Sequence, residues 1–536
     1  MNLIYDSWIP VKKRNGEKVK ISPCEITENI STDLEYTDIS SVRPDFDGAL
    51  IQFLIGLLQT TCAPQNTQEW FSWFNKPPDK EELKKKFNPI AQYFNLDGNG
   101  PRFMQETGLQ SNKNVIAEGL PISKMLIDMP GENTIKNNMD FFIKEGNISY
   151  ICSTCCAIAL FTMQTNAPTG GQGHLTGLRG GGPLTTIVTG SNLWQTCWLN
   201  ILNGNDFLQL GNSHKDKDSD RFPWITCERI SVNGLKTTPA DVHPAQIYWA
   251  MPRRFLLIFE NKKSSICDLC GCPSETFVKT YFSLPRGIDY AGQWEHPLSP
   301  MYKKETTTED IWLPVHQHER IGYRHWLGLI PNLTDEKHRP ALAISETINR
   351  IQNMDVKLDL KIRAFGYDMD NMKACSWNEA VFPVINIEDK YREMYGYYMK
   401  NMINAADLGC NYLRRAIKDA WKIGKICKDT IILFWEKTEP PFYTAAANLI
   451  DTLQENPDSP PTVNITVNIL ENWLKVIIDT SQRIFDIFSQ AGDFKSVDPG
   501  RVARAWNTMN KNLYGRKMRE TLGLPLKKEV ADAKSR

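Results

Sequence analysis

Two short cysteine pairs set the strongest constraint on how this chain can fold. Cys152-Ser-Thr-Cys155 and Cys267-Asp-Leu-Cys270 are both C-x-x-C knuckles. Two intervening residues let both sulfurs of a pair reach one tetrahedral ion. Two such pairs supply the closed four-thiolate set of a structural zinc site. The 111 residues between Cys155 and Cys267 far exceed the spacer of a zinc ribbon. A shared ion would therefore tie together two distant parts of one domain, and closing so long a loop gains the most in chain entropy. The alternative is two unrelated pairs. Cys156 and Cys272 lie close enough in sequence to substitute as ligands. A catalytic ion is disfavoured, because neither an H-x-E deaminase signature nor an H-E-x-x-H motif accompanies the cysteines.

The other cysteines are scattered, and the total of thirteen is odd. That argues against a disulfide framework. At the N-terminus a short apolar run, broken by Asp6, precedes the basic residues, the reverse of a signal peptide. The longest apolar stretch, near Cys155–Met163, is far short of the roughly 20 residues of a membrane span. A soluble cytoplasmic protein with no membrane partner is expected. The 62 Lys and Arg balance 62 Asp and Glu, so the chain is not a polybasic coater of nucleic acid. Any nucleic-acid function must use local sites.

Up to residue 388 the texture is mixed. Short β-type runs (Leu184–Val188, Phe255–Phe259, Phe382–Ile387) alternate with helical patterns such as Gly48–Cys62, and Gly and Pro punctuate often. This predicts a large α+β domain, 1–388, with long loops of the kind that carry function. From Asp389 apolar residues recur every three or four positions. Tyr395, Tyr398, Met402, Ala405, Leu408, Tyr412, Ala416 and Ala420 trace one stripe; Leu470, Trp473, Ile477, Thr480, Ile484 and Ile487 trace another. Pro440 and Pro441 interrupt the second helical segment. The pattern predicts a C-terminal four-helix bundle over 389–536. Its last segment, Ser496–Arg536, holds ten Lys and Arg against four Asp and Glu. That is either a solvated face or a phosphate-contacting surface that includes Arg501, Arg504 and Lys511.

Thr169–Pro183 packs seven glycines into fifteen residues. Glycine allows positive φ and close approach of backbone to a ligand. No G-K-[ST] follows, and the loop does not run from a strand into a helix, so neither a Walker loop nor a dinucleotide fingerprint fits. Arg179 is its only permanent cation, placed either to pin the loop or to touch ligand. Asp368 and Asp370 invite an EF-hand reading, but Met372 and Lys373 occupy positions that need a ligand and a glycine. His316, His318 and His325 come with no metal motif. No nucleophile elbow or kinase set is present.

Taken in order, these features resemble the large subunit of the type I-E CRISPR Cascade complex, the CasA family. The resemblance runs through Leu3-Ile-Tyr-Asp-Ser-Trp-Ile-Pro-Val11 and Cys152-x-x-Cys155 with Ala157-Ile-Ala-Leu-Phe161. It continues through Ala167-Pro168 to Pro183 and through Cys267-x-x-Cys270. Trp294-x-His-Pro297, Phe365-Gly-Tyr-Asp-Met-Asp-Asn-Met-Lys373 and the C-terminal helices complete it, so that it spans essentially the whole chain. It implies a non-enzymatic subunit of an antiviral surveillance complex. Such a subunit reads the protospacer-adjacent motif in double-stranded DNA through the minor groove and helps part the strands for guide RNA. It also helps recruit the helicase-nuclease effector. The implied partners are the other Cascade subunits, the CRISPR guide RNA, the DNA duplex and that effector.

Residue by residue, the resemblance implies structural zinc on Cys152, Cys155, Cys267 and Cys270. It implies a guide-RNA handle contact at Phe141, with Phe142 beside it, by stacking on a splayed base. Gly171, Gln172 and Gly173 fall at the glycine position that approaches the minor groove. Arg286, in Leu284-Pro-Arg-Gly287, stands where the family has a lysine finger. Asn371 stands where it has a glutamine wedge, with Met372 next to it as an apolar wedge. The rival reading of a zinc-dependent hydrolase or nuclease rests on the cysteines and histidines, and it needs an open coordination position.

Overall fold

The computed structural model describes residues 1–138, 140, 143, 146–171, 173–305, 310–317, 320–330, 337–353, 358, 360–370, 373–384, 389–421, 428–454, 463–490 and 498–526. Helix and strand are mixed, with a helical C-terminal region. The chain forms two compact units, Met1–Glu319 with Pro340–Val384, and Arg320–Arg339 with Ile385–Arg536.

The first unit is organised around the helix Pro44–Cys62, which is buried on nearly every side. Phe53, at its centre, meets Trp8, Phe161 and Trp249 edge-on at ring separations of 5.2, 5.6 and 5.6 Å. Each such pair adds about 0.5–1.5 kcal/mol to the burial itself. Gly48 on this helix is required by packing, since a Cβ there would lie 2.7 Å from the Trp377 ring.

Three sheets of this unit position the residues of the site. The first is Lys18–Ile21, Ile9–Lys13 and Tyr36–Ile39. The second is a long antiparallel hairpin, Arg254–Ile266 with Pro273–Leu284, extended on the latter strand by Leu120–Pro121 and Ile151–Cys152. The third is the hairpin Lys361–Asp370 with Lys373–Pro383, whose first strand also pairs with Thr185–Thr189. The β-run expected at Phe255–Phe259 lies in one of these strands, and that at Leu184–Val188 overlaps Thr185–Thr189. Asp368 and Asp370 are strand residues, which removes any calcium loop there.

In the second unit, Asp389–Trp421 packs against Lys428–Gln454, Val463–Gln490 and Pro499–Leu513, with a short fifth helix, Arg516–Leu522. Tyr395, Met402, Ala405, Leu470, Trp473 and Ile477 are buried as the stripes predict. Ile487 departs from its stripe and is 57% exposed. The three-residue step from Ile484 under-rotates a 3.6-residue helix and carries the side chain off the buried face.

Two segments depart from the sequence pattern. The helix Lys428–Gln454 runs unbroken through Pro440 and Pro441. Interior prolines cost about 3 kcal/mol or more, but Phe442 next to them stacks on Tyr323 at 4.3 Å and meets Trp326 and Trp473 edge-on. Tertiary burial outweighs the local penalty. The same contacts explain why Arg320–Arg339, expected in the first domain, belongs to the helical unit: Tyr323 and Trp326 are fully buried within it.

Candidate functional site

The two cysteine knuckles meet because of strand pairing. Ile151 and Cys152 pair with Val278 and Phe277, which sets the first knuckle beside the turn of the long hairpin, where Cys267 and Cys270 lie. Cys152 then caps the helix Ser153–Asn166, whose first turn carries Cys155. The four sulfurs lie within 4.8 Å of one another. The Cys152 N–H donates to Cys267 Sγ at 3.2 Å. Asp268 clamps the two segments: its carboxylate accepts from the N–H groups of Ser149 and Tyr150, and its own N–H donates to the Tyr150 carbonyl.

Hydrogen bonds from neighbouring thiols, Cys152 and Cys155 first, hold Cys267 well below the usual thiol range; Cys155 does the same for Cys270, which falls to about 6. The same hydrogen bonds push the Cys155 thiol up, and against the pull of Cys155 the Cys267 partner and burial raise Cys152 to about 12, so two thiolates accept from two thiols. Four thiolates with backbone donors fit a tetrahedral soft or borderline ion and leave it no open position. Cys156, fully buried, and Cys272, whose Sγ faces the Cys270 carbonyl at 3.7 Å, are not members of the cluster. Among the described residues no second group of potential metal ligands occurs. His318 lies outside the described residues. Asp268 was not singled out from sequence; its place inside the knuckle was the available signal.

The glycine loop connects the helix Ser153–Asn166 to the strand Thr185–Thr189. Arg179 pins it. Its guanidinium donates to Thr185 Oγ1, Ser299 Oγ and Gln52 Oε1 at 2.9, 3.1 and 2.6 Å, and the side chain is buried. The far end of the loop is different. Gly171 is exposed with open space around its Cα, at φ +84°. Gly173, at φ +79°, accepts a hydrogen bond from the Arg286 N–H at 2.6 Å. A Cβ on Gly173 would lie 2.9 Å from Pro285 Cβ, so glycine is demanded twice, by backbone conformation and by space.

Arg286 itself adopts φ +64°, rare for a residue with a side chain. Its exposed guanidinium donates to the Val232 carbonyl at 3.0 Å. Two loops more than a hundred residues apart in sequence thus share one exposed edge. Asn371 and Met372 connect the paired residues Asp370 and Lys373 of the third sheet; they, Gln172, Phe141 and Phe142 lie outside the described residues.

In the helical unit, Arg501, Arg504 and Lys511 all lie on Pro499–Leu513. Arg501 Nε donates to the Ala420 carbonyl at 2.8 Å, which ties the start of this helix to the end of Asp389–Trp421. Arg504 and Lys511 are exposed seven residues apart, on one face. No helix among the described residues is long and apolar enough to cross a membrane.

Residues 2–484 match the family model described as CRISPR-associated protein Cse1. Among solved structures, the chain is similar to Thermus thermophilus CasA (Cse1), with a TM-score of 0.65 at 16% identity over 96% of this chain and 99% of that one. It is similar to Thermobifida fusca Cse1, with a TM-score of 0.66 at 15% identity over 97% of each chain. It also matches a chain of a CRISPR RNA-guided surveillance complex, with a TM-score of 0.68 at 16% identity over 96% of this chain and 99% of that one.

Proposed function

Since this chain belongs to the CRISPR-associated Cse1 family, a structural subunit of an RNA-guided surveillance complex and not an enzyme, we propose that it reads the protospacer-adjacent motif in double-stranded DNA. The reading takes place in the minor groove, at the edge where the glycine loop and the Arg286 loop meet. The contact between Gly173 and Arg286 carries this proposal: it joins an exposed, side-chain-free backbone at Gly171 to an exposed cation. The minor groove, about 6 Å wide, is too narrow for a helix but open to a bare backbone segment and single side chains.

Asn371 and Met372 act as the wedge that parts the first base pairs, at a cost of a few kcal/mol per unstacked step offset by contacts to the opened strands. Phe141 and Phe142 hold the guide-RNA handle by stacking. The second unit serves as the family's four-helix bundle, with Arg504 and Lys511 on DNA phosphates and Arg501 chiefly pinning its helix. The other Cascade subunits and guide RNA are its partners, and it helps recruit the helicase-nuclease effector. Cys152, Cys155, Cys267 and Cys270 would hold zinc, whose bound form ties Tyr150–Cys155 to the hairpin turn.

Substituting Arg286→Ala in the assembled complex tests the reading. Motif-bearing duplex should bind at least tenfold more weakly while guide-RNA assembly is retained. Unchanged duplex affinity would remove this edge from motif recognition.

A further inference from the structure

We infer that a small cavity beneath the glycine loop is a binding site for one monovalent halide ion, held by the Arg179 guanidinium and the Tyr248 hydroxyl. Arg179 is 3% exposed, and each of its hydrogen-bond partners, Thr185, Ser299 and Gln52, is a neutral oxygen. No carboxylate pairs with it among the described residues. A buried cation without a counter-charge is costly, and such groups are ordinarily paired. Burial draws its pKa down to about 9, which leaves it charged at neutral pH.

A cavity of about 20 Å³ lies against it, lined also by Tyr248, His296, Gln52 and Gln164. That volume admits a single small species. Tyr248 is 5% exposed, and its hydroxyl has no hydrogen-bond partner. His296 Nδ1 accepts the Leu298 N–H at 3.1 Å, which leaves the neutral ring's proton on Nε2 as a further donor.

The two glutamine side-chain acceptors that line the cavity are already committed. Gln52 Oε1 takes Arg179, and Gln164 Oε1 takes the Arg253 N–H. The unpartnered Tyr248 hydroxyl, the His296 Nε2–H and the Arg179 charge at this space favour an anion over a cation, and its size excludes phosphate or sulfate. A water molecule would satisfy Tyr248 but leave the charge of Arg179 uncompensated. Because Arg179 fastens the glycine loop to Gln52 on the central helix, the ion would stabilise the anchored loop. This inference does not depend on what the loop binds.

The test uses the full chain. Crystals grown in sodium bromide should show an anomalous bromide peak in the cavity. The melting temperature should rise saturably in sodium bromide or chloride relative to sodium gluconate at equal ionic strength. Tyr248→Phe, which keeps the ring, should weaken that dependence. A water in the cavity with no bromide peak, or a halide response identical in wild type and Tyr248→Phe, would overturn the assignment.

Discussion

The backbone N–H of Arg286 donates to the carbonyl of Gly173 at 2.6 Å, and both residues hold positive φ, +64° and +79°. The left-handed conformation costs a residue with a Cβ about 1–2 kcal/mol. Arg286→Gly should therefore preserve or slightly raise the melting temperature while weakening duplex binding. Arg286→Ala should keep the strain and lose the binding too. Equal duplex affinity for wild type and Arg286→Gly would show that the guanidinium contributes nothing to the DNA contact.

The cysteine cluster makes a sharper distinction. Serine at Cys152, Cys155, Cys267 or Cys270 should abolish zinc binding and lower thermal stability, because an ion held by all four sulfurs would close the segment from Cys155 to Cys267. Serine at Cys156 or Cys272 should leave metal stoichiometry intact. Zinc content by mass spectrometry checks both, and loss of zinc from a Cys272 variant would contradict the geometry. Asp268→Ala should loosen the knuckle with all four sulfurs present, lowering metal affinity about 10–100-fold.

His243 supplies a pH dependence. Burial first, then the charge of Arg221, pulls its pKa from 6.5 to about 4, and its Nδ1 accepts the Ala245 N–H. Between those pH values the unfolded chain binds the proton and the folded chain does not. Stability from this group is therefore full above pH 6.5 and lost as pH falls toward 4. Denaturant titrations of His243→Gln should show a flatter acid limb than wild type.

The basic helix separates by role. Charge reversal at Arg504 or Lys511 should weaken DNA binding with little change in melting temperature, and should reduce the salt slope by about one per lost phosphate contact. Arg501→Ala should instead lower the stability of the helical unit, because it strips a donor from the Ala420 carbonyl. An unchanged salt slope for Arg504 and Lys511 would return this face to plain solvation.

Reading through the minor groove has its own consequence. That groove presents a degenerate donor and acceptor pattern. A binding survey over all trinucleotides should return several accepted motifs, and a single accepted motif would count against the reading. Asn371→Ala with Met372→Ala should block target-strand opening while assembly is preserved.

Much of this molecule was legible in order along the chain. Period-two and period-3.6 apolar patterns depend on neighbours a few residues away. The strand Thr185–Thr189, within one residue of the expected Leu184–Val188, the helix ending at Cys62 and the stripes through Tyr395 and Trp473 accordingly appear where the pattern puts them. The C-x-x-C spacing is equally local, and it named the four cysteines. Which of six nearby cysteines cluster was decided by the pairing of Ile151–Cys152 with the hairpin strand. The continuity of a helix through Pro440 and Pro441 was decided by Tyr323 and Trp326, more than a hundred residues upstream. Whether Arg179 pins the glycine loop or meets ligand depended on Gln52 and Ser299, and the partnership of Gly173 with Arg286 on two loops meeting in space. Local chemistry sets what a residue can do. Long-range burial chooses its neighbours, because the gain from excluding water is nondirectional and carries no sequence separation.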